Sequence, residues 1–167
     1  MDILRNLFGK RRAPETSGVN LEDDAAFLTA EPISRKRMDL LWLDPPHLAH
    51  VGQLLAQQQV ITVTMGAGSN VQDHEITRED FEWAKHIERI VDKAFSAGQD
   101  GRFPDGIRHY KEALRLAPGC DLFLMSIGVG YAQMGQKARG IRFLERAAQI
   151  SPGNMRIRKN LEQVRLM

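Results

Sequence analysis

Four short segments carry residue types that could do chemistry. His47 and His50 are three residues apart and could share one face of a helix, as pairs of metal ligands do. Residues 73–75 (Asp-His-Glu) place an imidazole between two carboxylates, an arrangement suited to proton transfer. Cys120 is the only cysteine and could be a nucleophile, while residues 66–68 (Gly-Ala-Gly) follow a strand-like run as a phosphate-binding loop would.

Each of these four candidates is incomplete. No cluster of Cys, Asp or Glu accompanies the two histidines to complete a metal site, and no nucleophile is identifiable beside residues 73–75, which we predict to form a loop. The glycine pair lacks the third glycine and the Lys-Ser/Thr pair of a phosphate loop. A single thiol forms no internal disulfide and no thiolate cluster. We therefore predict a protein with no catalytic residues, no bound metal and no cofactor.

The composition is that of a folded water-soluble protein. Of the 167 residues, 43% are apolar and 26% are charged. The net charge of +2 is too small to indicate a nucleic-acid partner, and the basic C-terminal stretch has no aromatic residue other than Phe143 for base stacking. Residues 1–8 lack the apolar core of a secretory signal, and no stretch approaches the roughly 18 apolar residues that span a bilayer. We predict a cytoplasmic location.

The C-terminal half repeats itself with a period of 34 residues, and this repeat predicts the fold. Glycines that can end a helix in the left-handed conformation recur at that spacing, and so do prolines that stop the next helix. Small residues recur where two helices would cross closely. The matched pairs are Gly101/Gly135, Gly106/Gly140, Ala94/Gly128, Ala113/Ala147 and Pro118/Pro152.

This pattern resembles the tetratricopeptide repeat (TPR) family. The resemblance implies a mainly α fold, with one helical hairpin over residues 87–120, a second over residues 121–154, and a polar capping helix over residues 155–167. The chain departs from the family pattern where glycine replaces the usual alanine at 106 and 140. Because Thr77 and the acidic residues after it are typical of a helix start, we place the whole TPR-like domain at residues 77–167.

The N-terminal region divides into two parts. Residues 1–37 are rich in charge, Gly, Pro and Ser, and we predict a disordered charged arm. Residues 38–76 contain an apolar run, a helix-like stretch from 47 to about 58, a β-branched stretch at 60–65 and a turn at 66–70. They could form a small α/β element or an irregular segment docked on the repeats, and the sequence leaves both open.

The resemblance also implies a partner-binding groove lined by the first helix of each hairpin and by the capping helix. The groove positions are mainly apolar, which suits a protein partner that offers an apolar peptide or an amphipathic helix. We therefore predict a non-enzymatic adaptor or chaperone-like scaffold, with residues 38–65 of the chain as an alternative occupant of the groove. The predicted groove residues are Val91, Phe95, Leu122, Met125, Val129, Gln133 and Lys159.

A second functional hypothesis comes from the distribution of charge. Residues 71–100 hold eight acids and four bases, whereas residues 136–167 hold eight bases and two acids. Such polarity could drive self-assembly into a homo-oligomer. Residues 1–12 place apolar side chains on one side of a short helix, followed by a basic Lys-Arg-Arg run, so a peripheral membrane contact is a further alternative.

Overall fold

A computed structural model of the chain describes residues 22–66 and 70–167. These residues form eight helices and one two-stranded sheet. The helices are α1 Glu22–Thr29, α2 Arg35–Leu41, α3 Pro45–Leu55, α4 Arg78–Gln99, α5 Phe103–Leu116, α6 Asp121–Gln133, α7 Lys137–Ile150 and α8 Met155–Leu166, and the strands are β1 Val60–Met65 and β2 Gln72–Thr77. The prediction of a mainly helical protein is confirmed.

The chain divides into two compact units. The first contains the described residues up to Pro32 together with Ile90–Met167, and the second is Ile33–Arg89. The boundary falls within α4, and α1 belongs to the same unit as the repeats although 57 residues of the other unit separate it from them in the sequence.

The unit Ile33–Arg89 has its own small α/β core. In α3 the Asp44 carboxylate accepts a hydrogen bond from the backbone N–H of His47, and the buried residues Leu48, Val51 and Leu55 recur at helical spacing. The antiparallel hairpin pairs Ile61 of β1 with Ile76 of β2. The core is formed by Leu40, Leu48, Val51, Leu55, Ile61, Met65, Ile76 and Ala84.

Helix α4 starts with a capping box, as Thr77 predicts. The Thr77 hydroxyl accepts a hydrogen bond from the backbone N–H of Asp80 at 3.2 Å, and the Asp80 carboxylate accepts one from the backbone N–H of Thr77 at 3.3 Å. Two otherwise unpaired backbone donors are satisfied in this way, so the helix begins at a defined residue. It ends at Gln99.

We call the first compact unit, which contains the hairpins, the repeat unit. Its backbone reproduces itself after 34 residues. Gly101 and Gly135 have φ values of 74° and 77°, a region that favours glycine. The N–H group of the residue after each glycine donates to a carbonyl five residues earlier, Arg102 to Ala97 at 2.8 Å and Gln136 to Tyr131 at 2.9 Å. Two helical hairpins, α4–α5 and α6–α7, are therefore closed by the same turn.

The second hairpin is more tightly packed than the first. A Cβ added to Gly140 would lie 2.6 Å from the Gly128 carbonyl oxygen, whereas one added to Gly106 would lie 3.2 Å from the Ala94 carbonyl oxygen. Glycine at 140 therefore allows direct backbone contact between α6 and α7. The array ends at α8, where Asn154 caps the helix and only Ile157, Asn160 and Val164 are buried.

Two predictions for the N-terminal half need correction. Disorder was predicted for residues 1–37, but residues 22–29 form α1 and α2 begins at Arg35; residues 1–21 lie outside the described part. A loop was predicted at residues 73–75, but they belong to β2, because alternate residues His74 and Ile76 are buried against neighbouring elements while Asp73 and Glu75 face outward. Of the predicted glycine-rich turn, residues 67–69 also lie outside the described part.

Candidate functional site

The predicted groove residues lie on three successive helices and differ widely in exposure. Met125 and Val129 on α6 are each only 2% exposed and belong to the core. Val91 and Phe95 on α4 and Leu122 on α6 are half-buried. Gln133 at the end of α6 is also half-buried, and Lys159 on α8 is exposed. We call Val91, Phe95, Leu122, Gln133 and Lys159 the first-helix surface, because α4, α6 and α8 supply them.

A different set of residues forms the most elaborate polar site of the repeat unit. The Asp24 side chain of α1 is 6% exposed and accepts hydrogen bonds from three residues of the hairpins. Lys111 Nζ of α5 lies 2.7 Å from Oδ1, and the Arg139 guanidinium of α7 donates twice to Oδ2, at 2.7 and 2.9 Å. The Tyr131 hydroxyl of α6 donates to Oδ1 at 3.1 Å. One carboxylate thus joins three helices.

The same site receives an aromatic side chain from the next turn of α1. Phe27 is 8% exposed, and the Lys111 ammonium lies 5.6 Å from its ring centroid. The Arg115 guanidinium lies 5.5 Å from that centroid. Both distances are in the range of cation–π attraction. We call the hairpin residues around Asp24 and Phe27, namely Lys111, Arg115, Tyr131 and Arg139, the α1 pocket.

Rigid helical residues hold the α1 pocket in shape. The Arg139 guanidinium lies 4.1 Å from the Tyr131 ring centroid and donates to the Tyr131 hydroxyl at 2.9 Å. The Tyr131 ring in turn packs on Phe143, with centroids 5.6 Å apart. Tyr131 is fully buried. The pocket is therefore preorganised by the core of the second hairpin, with the basic groups fixed around the site of the carboxylate.

The segment after α1 continues along the same hairpins. The Ala30 carbonyl accepts a hydrogen bond from the Arg146 guanidinium of α7 at 3.0 Å. Gly119, with φ of 63°, approaches Pro32 so closely that an added Cβ would lie 2.6 Å from the Pro32 Cα. The docked segment thus extends from Asp24 to Pro32.

The α1 pocket was not predicted, although one signal for it is present in the sequence. Lys111 follows Ile107 by four residues and precedes Leu114 by three, so it lies on the apolar stripe of α5. A lysine at a core-facing position requires a carboxylate partner. Nothing local to α5 identifies that partner, because Asp24 is 87 positions away in the chain.

The residues singled out for catalysis or metal binding are placed in structural roles. Burial raises the pKa of the Cys120 thiol far above its ordinary range, and the neighbouring Asp121 carboxylate adds to the effect. His74 Nε2 lies 3.1 Å from the buried Asp39 carboxylate, which also pairs with Arg35. Asp44 caps the start of α3, and its carboxylate contacts both the backbone N–H and the imidazole Nδ1 of His47. Among the described residues, no group of three or more His, Cys, Asp or Glu side chains could hold a metal ion.

The unit Ile33–Arg89 also holds a buried aspartate between a lysine and an arginine. Asp80, at the start of α4, accepts from Lys36 Nζ at 2.6 Å and from the Arg37 guanidinium at 3.3 Å. Burial alone would raise the pKa of this carboxyl group, but the hydrogen bonds from Lys36, Thr77 and Arg37 together lower it below its ordinary value. The Arg37 guanidinium also lies 4.8 Å from the Trp83 ring centroid, which fixes α2 against α4.

Comparison with known proteins found no counterpart: no family model, no curated protein and no solved structure matches the chain. Within the described residues, no helix is long and apolar enough to cross a membrane.

Proposed function

We propose that this chain is a non-enzymatic protein-interaction module of the tetratricopeptide type. The observation that carries the proposal is the docking of α1: the helical hairpins hold a separate helix of eight residues through a carboxylate, an aromatic ring and a set of fixed bases. Recognition of short helices by grooves between helices is a common mode of peptide binding. The 34-residue repeat of the backbone supports the same class of protein.

The state of the reactive groups supports a role in binding rather than in chemistry. A thiol with a raised pKa stays protonated, and the thiol is a poor nucleophile in that form. The His74 imidazole is engaged by a buried carboxylate, in a place where it helps to hold β2 against α2.

An apolar segment of a partner protein is proposed to bind on the first-helix surface. Val91, Phe95 and Leu122 offer partly exposed apolar side chains on successive first helices, and Lys159 adds a charge that could fix orientation. Met125 and Val129 would support this surface from within the core. Replacing either of them by a charged residue would damage the fold, so they are unsuited to a test of binding.

Selection from a library of displayed peptides tests this proposal. The full chain serves as the target, and selected peptides are then measured against the Phe95→Ser/Leu122→Ser variant and against Leu116→Ser. Leu116 is a matched control, because it is an exposed leucine on a second helix. We expect apolar peptides whose affinity falls at least tenfold, a loss of about 1.4 kcal/mol, in the first variant and is unchanged in the control.

The outcome that contradicts the first-helix surface is equally clear. If circular dichroism shows that all three proteins are folded, and the selected peptides bind them equally well, then the peptides bind elsewhere. If no peptide is enriched, the first-helix surface is not a binding site for apolar segments.

Self-association is the second candidate, and exposed bases near the C-terminus favour it. Arg142, Arg158 and Lys159 are exposed, and the ion pairs found among the described residues leave them without a carboxylate. If these bases bind the acidic residues 71–100 of another copy, light scattering will show oligomers that dissociate as the salt concentration is raised. The proposed membrane contact of residues 1–12 lies outside the described part of the chain.

A further inference from the structure

We propose that the α1 pocket is a receptor site for a partner helix that carries a carboxylate and an aromatic ring three residues apart, and that α1 is its occupant within the chain. The inference rests on the proposed function, because it assumes that the hairpins bind protein segments. It names a second site, distinct from the first-helix surface, together with the chemistry of its ligand.

The buried bases define the first requirement of a ligand. The Lys111 side chain is 6% exposed and that of Arg139 is 17% exposed, and both are directed at one carboxylate. A docked helix that lacked this carboxylate would bury the two positive charges beside the Tyr131 hydroxyl with no anion to pair them. Because an unpaired buried charge is costly, the pocket selects a ligand that brings an anionic group to this point.

The surroundings of Phe27 define the second requirement. A ring placed between Lys111 and Arg115 gains cation–π attraction in addition to burial. The ring and the carboxylate must come from successive turns of one helix, since Asp24 and Phe27 are three residues apart and lie on the same face. A ligand with only one of these groups would leave half of the pocket unfilled.

The docked helix itself has the character of an exchangeable ligand. Helices shorter than about 12–15 residues are marginal in water, and the described part of α1 has eight residues. Of its side chains from residue 24 on, only Asp24 and Phe27 are buried. A helix that depends on two anchors for its structure loses little when it leaves, provided that another ligand occupies the pocket.

The covalent connection of α1 to the hairpins sets the affinity that a partner needs. A covalently connected segment competes at a raised effective concentration. A partner must therefore bind the pocket more tightly than the detached α1 segment does. The chain's own α1 occupies the pocket, and the contacts of Ala30 and Pro32 with the hairpins continue that docking.

The test uses a fluorescent peptide of residues 22–34 and the full chain with Asp24→Ala and Phe27→Ala, which weakens the internal competitor. We expect the peptide to bind this variant at least tenfold more tightly than it binds the unaltered chain. A peptide with the same two substitutions should not bind. Binding should be lost when Lys111→Met and Arg139→Met are added, and retained with Arg142→Met, an exposed arginine on the same helix as Arg139.

Two results would overturn the proposal. If the variant is folded and does not bind the peptide, α1 is a permanent part of the fold. If the unaltered chain forms dimers that Asp24→Ala/Phe27→Ala abolishes, the occupant is the α1 of a second copy. Should the variant fail to fold, excess peptide is added to the unaltered chain labelled with ¹⁵N: a shift of the Gly119 amide resonance supports exchange, and no shift refutes it.

Failure here is separable from failure of the first-helix surface. The variant Phe95→Ser/Leu122→Ser alters no residue of the α1 pocket. It should therefore still bind the peptide of residues 22–34 once Asp24→Ala/Phe27→Ala is added. If the peptide of residues 22–34 binds and no apolar peptide is selected, the α1 pocket is supported and the first-helix surface is rejected. If apolar peptides are selected and the peptide of residues 22–34 does not bind, the first-helix surface is supported and the α1 pocket is rejected.

Discussion

Each unit of the molecule contains a buried aspartate held by both a lysine and an arginine, and the two arrangements are opposite in polarity. In Ile33–Arg89 the acid, Asp80, starts the long helix α4 and the bases lie on the short helix α2. In the repeat unit the acid, Asp24, lies on the short helix and the bases lie on the hairpins. Helix α2 therefore brings cations to a fixed anion, whereas helix α1 brings an anion to fixed cations.

The difference in exposure gives the two clusters different consequences. The side chains of Lys36 and Arg37 are 34% and 33% exposed, so water can replace Asp80 as their partner. Asp80 also keeps its capping bonds with Thr77 if the bases are removed. Lys111, at 6% exposure, has no such alternative while α1 is docked. One cluster stabilises its unit through several independent contacts, and the other requires an occupant.

The largest expected change in stability tests whether the bases of the α1 pocket require an occupant. Lys111→Met should lower the free energy of unfolding by about 2–3 kcal/mol, since it removes a charged hydrogen bond from a buried carboxylate. In an Asp24→Ala background the same change should cost less than about 0.5 kcal/mol, because α1 is then free to leave and Lys111 has lost its partner. Urea denaturation of the four proteins measures both values.

Arg142→Met is the control for the loss of a positive charge from the same unit, and it should be close to neutral because the side chain is exposed. Additive costs for Lys111→Met and Asp24→Ala would contradict the coupling on which the comparison rests.

A smaller effect is expected at the other aspartate. Asp80→Ala should cost about 1–2 kcal/mol, because it removes one half of the capping box together with two ion pairs. Lys36→Met should cost less than about 1 kcal/mol, since partly exposed ion pairs contribute little. Thermal or urea unfolding gives both numbers, and a cost for Lys36→Met as large as that for Lys111→Met would show that the two clusters are equivalent.

The smallest effect is a dependence on pH. The pKa of Asp80 in the folded protein lies below its ordinary value of 3.8, so the folded state favours the carboxylate. The stability contributed by this group is present above about pH 4 and is lost as the pH falls through the lowered value. Asp80→Asn should therefore make the urea midpoint less sensitive to acid below about pH 4. If the urea midpoints of both proteins depend on acid in the same way, the Asp80 carboxylate does not contribute this pH-dependent stability.

The parts of the fold that could be predicted depend on local requirements. Gly101 and Gly135 mark turns that only a left-handed residue completes easily, and Thr77 satisfies backbone groups within its own helix turn. The helix predicted from 47 to about 58 is observed over Pro45–Leu55, and the β-branched stretch predicted at 60–65 is strand β1.

The parts that could not be predicted depend on partners far away in the sequence. Asp24 is 115 positions from Arg139, and the acidic segment around it has the composition of a solvated region. β2 carries only one large apolar residue, Ile76, so its role emerges only when β1 is placed beside it. The groove positions were assigned by resemblance, which gives location along a helix but does not show that Met125 and Val129 are buried.

The discontinuity of the repeat unit has a consequence for the nascent chain. Synthesis proceeds from the N-terminus, so α1 leaves the ribosome before any residue of its pocket exists. The unit Ile33–Arg89 can fold as soon as it has emerged, whereas Asp24 and Phe27 remain without their partners on the hairpins until Arg139 has emerged. Helix α1 is therefore made early and docks late, and during that interval it is open to any other protein in its surroundings that can bind it.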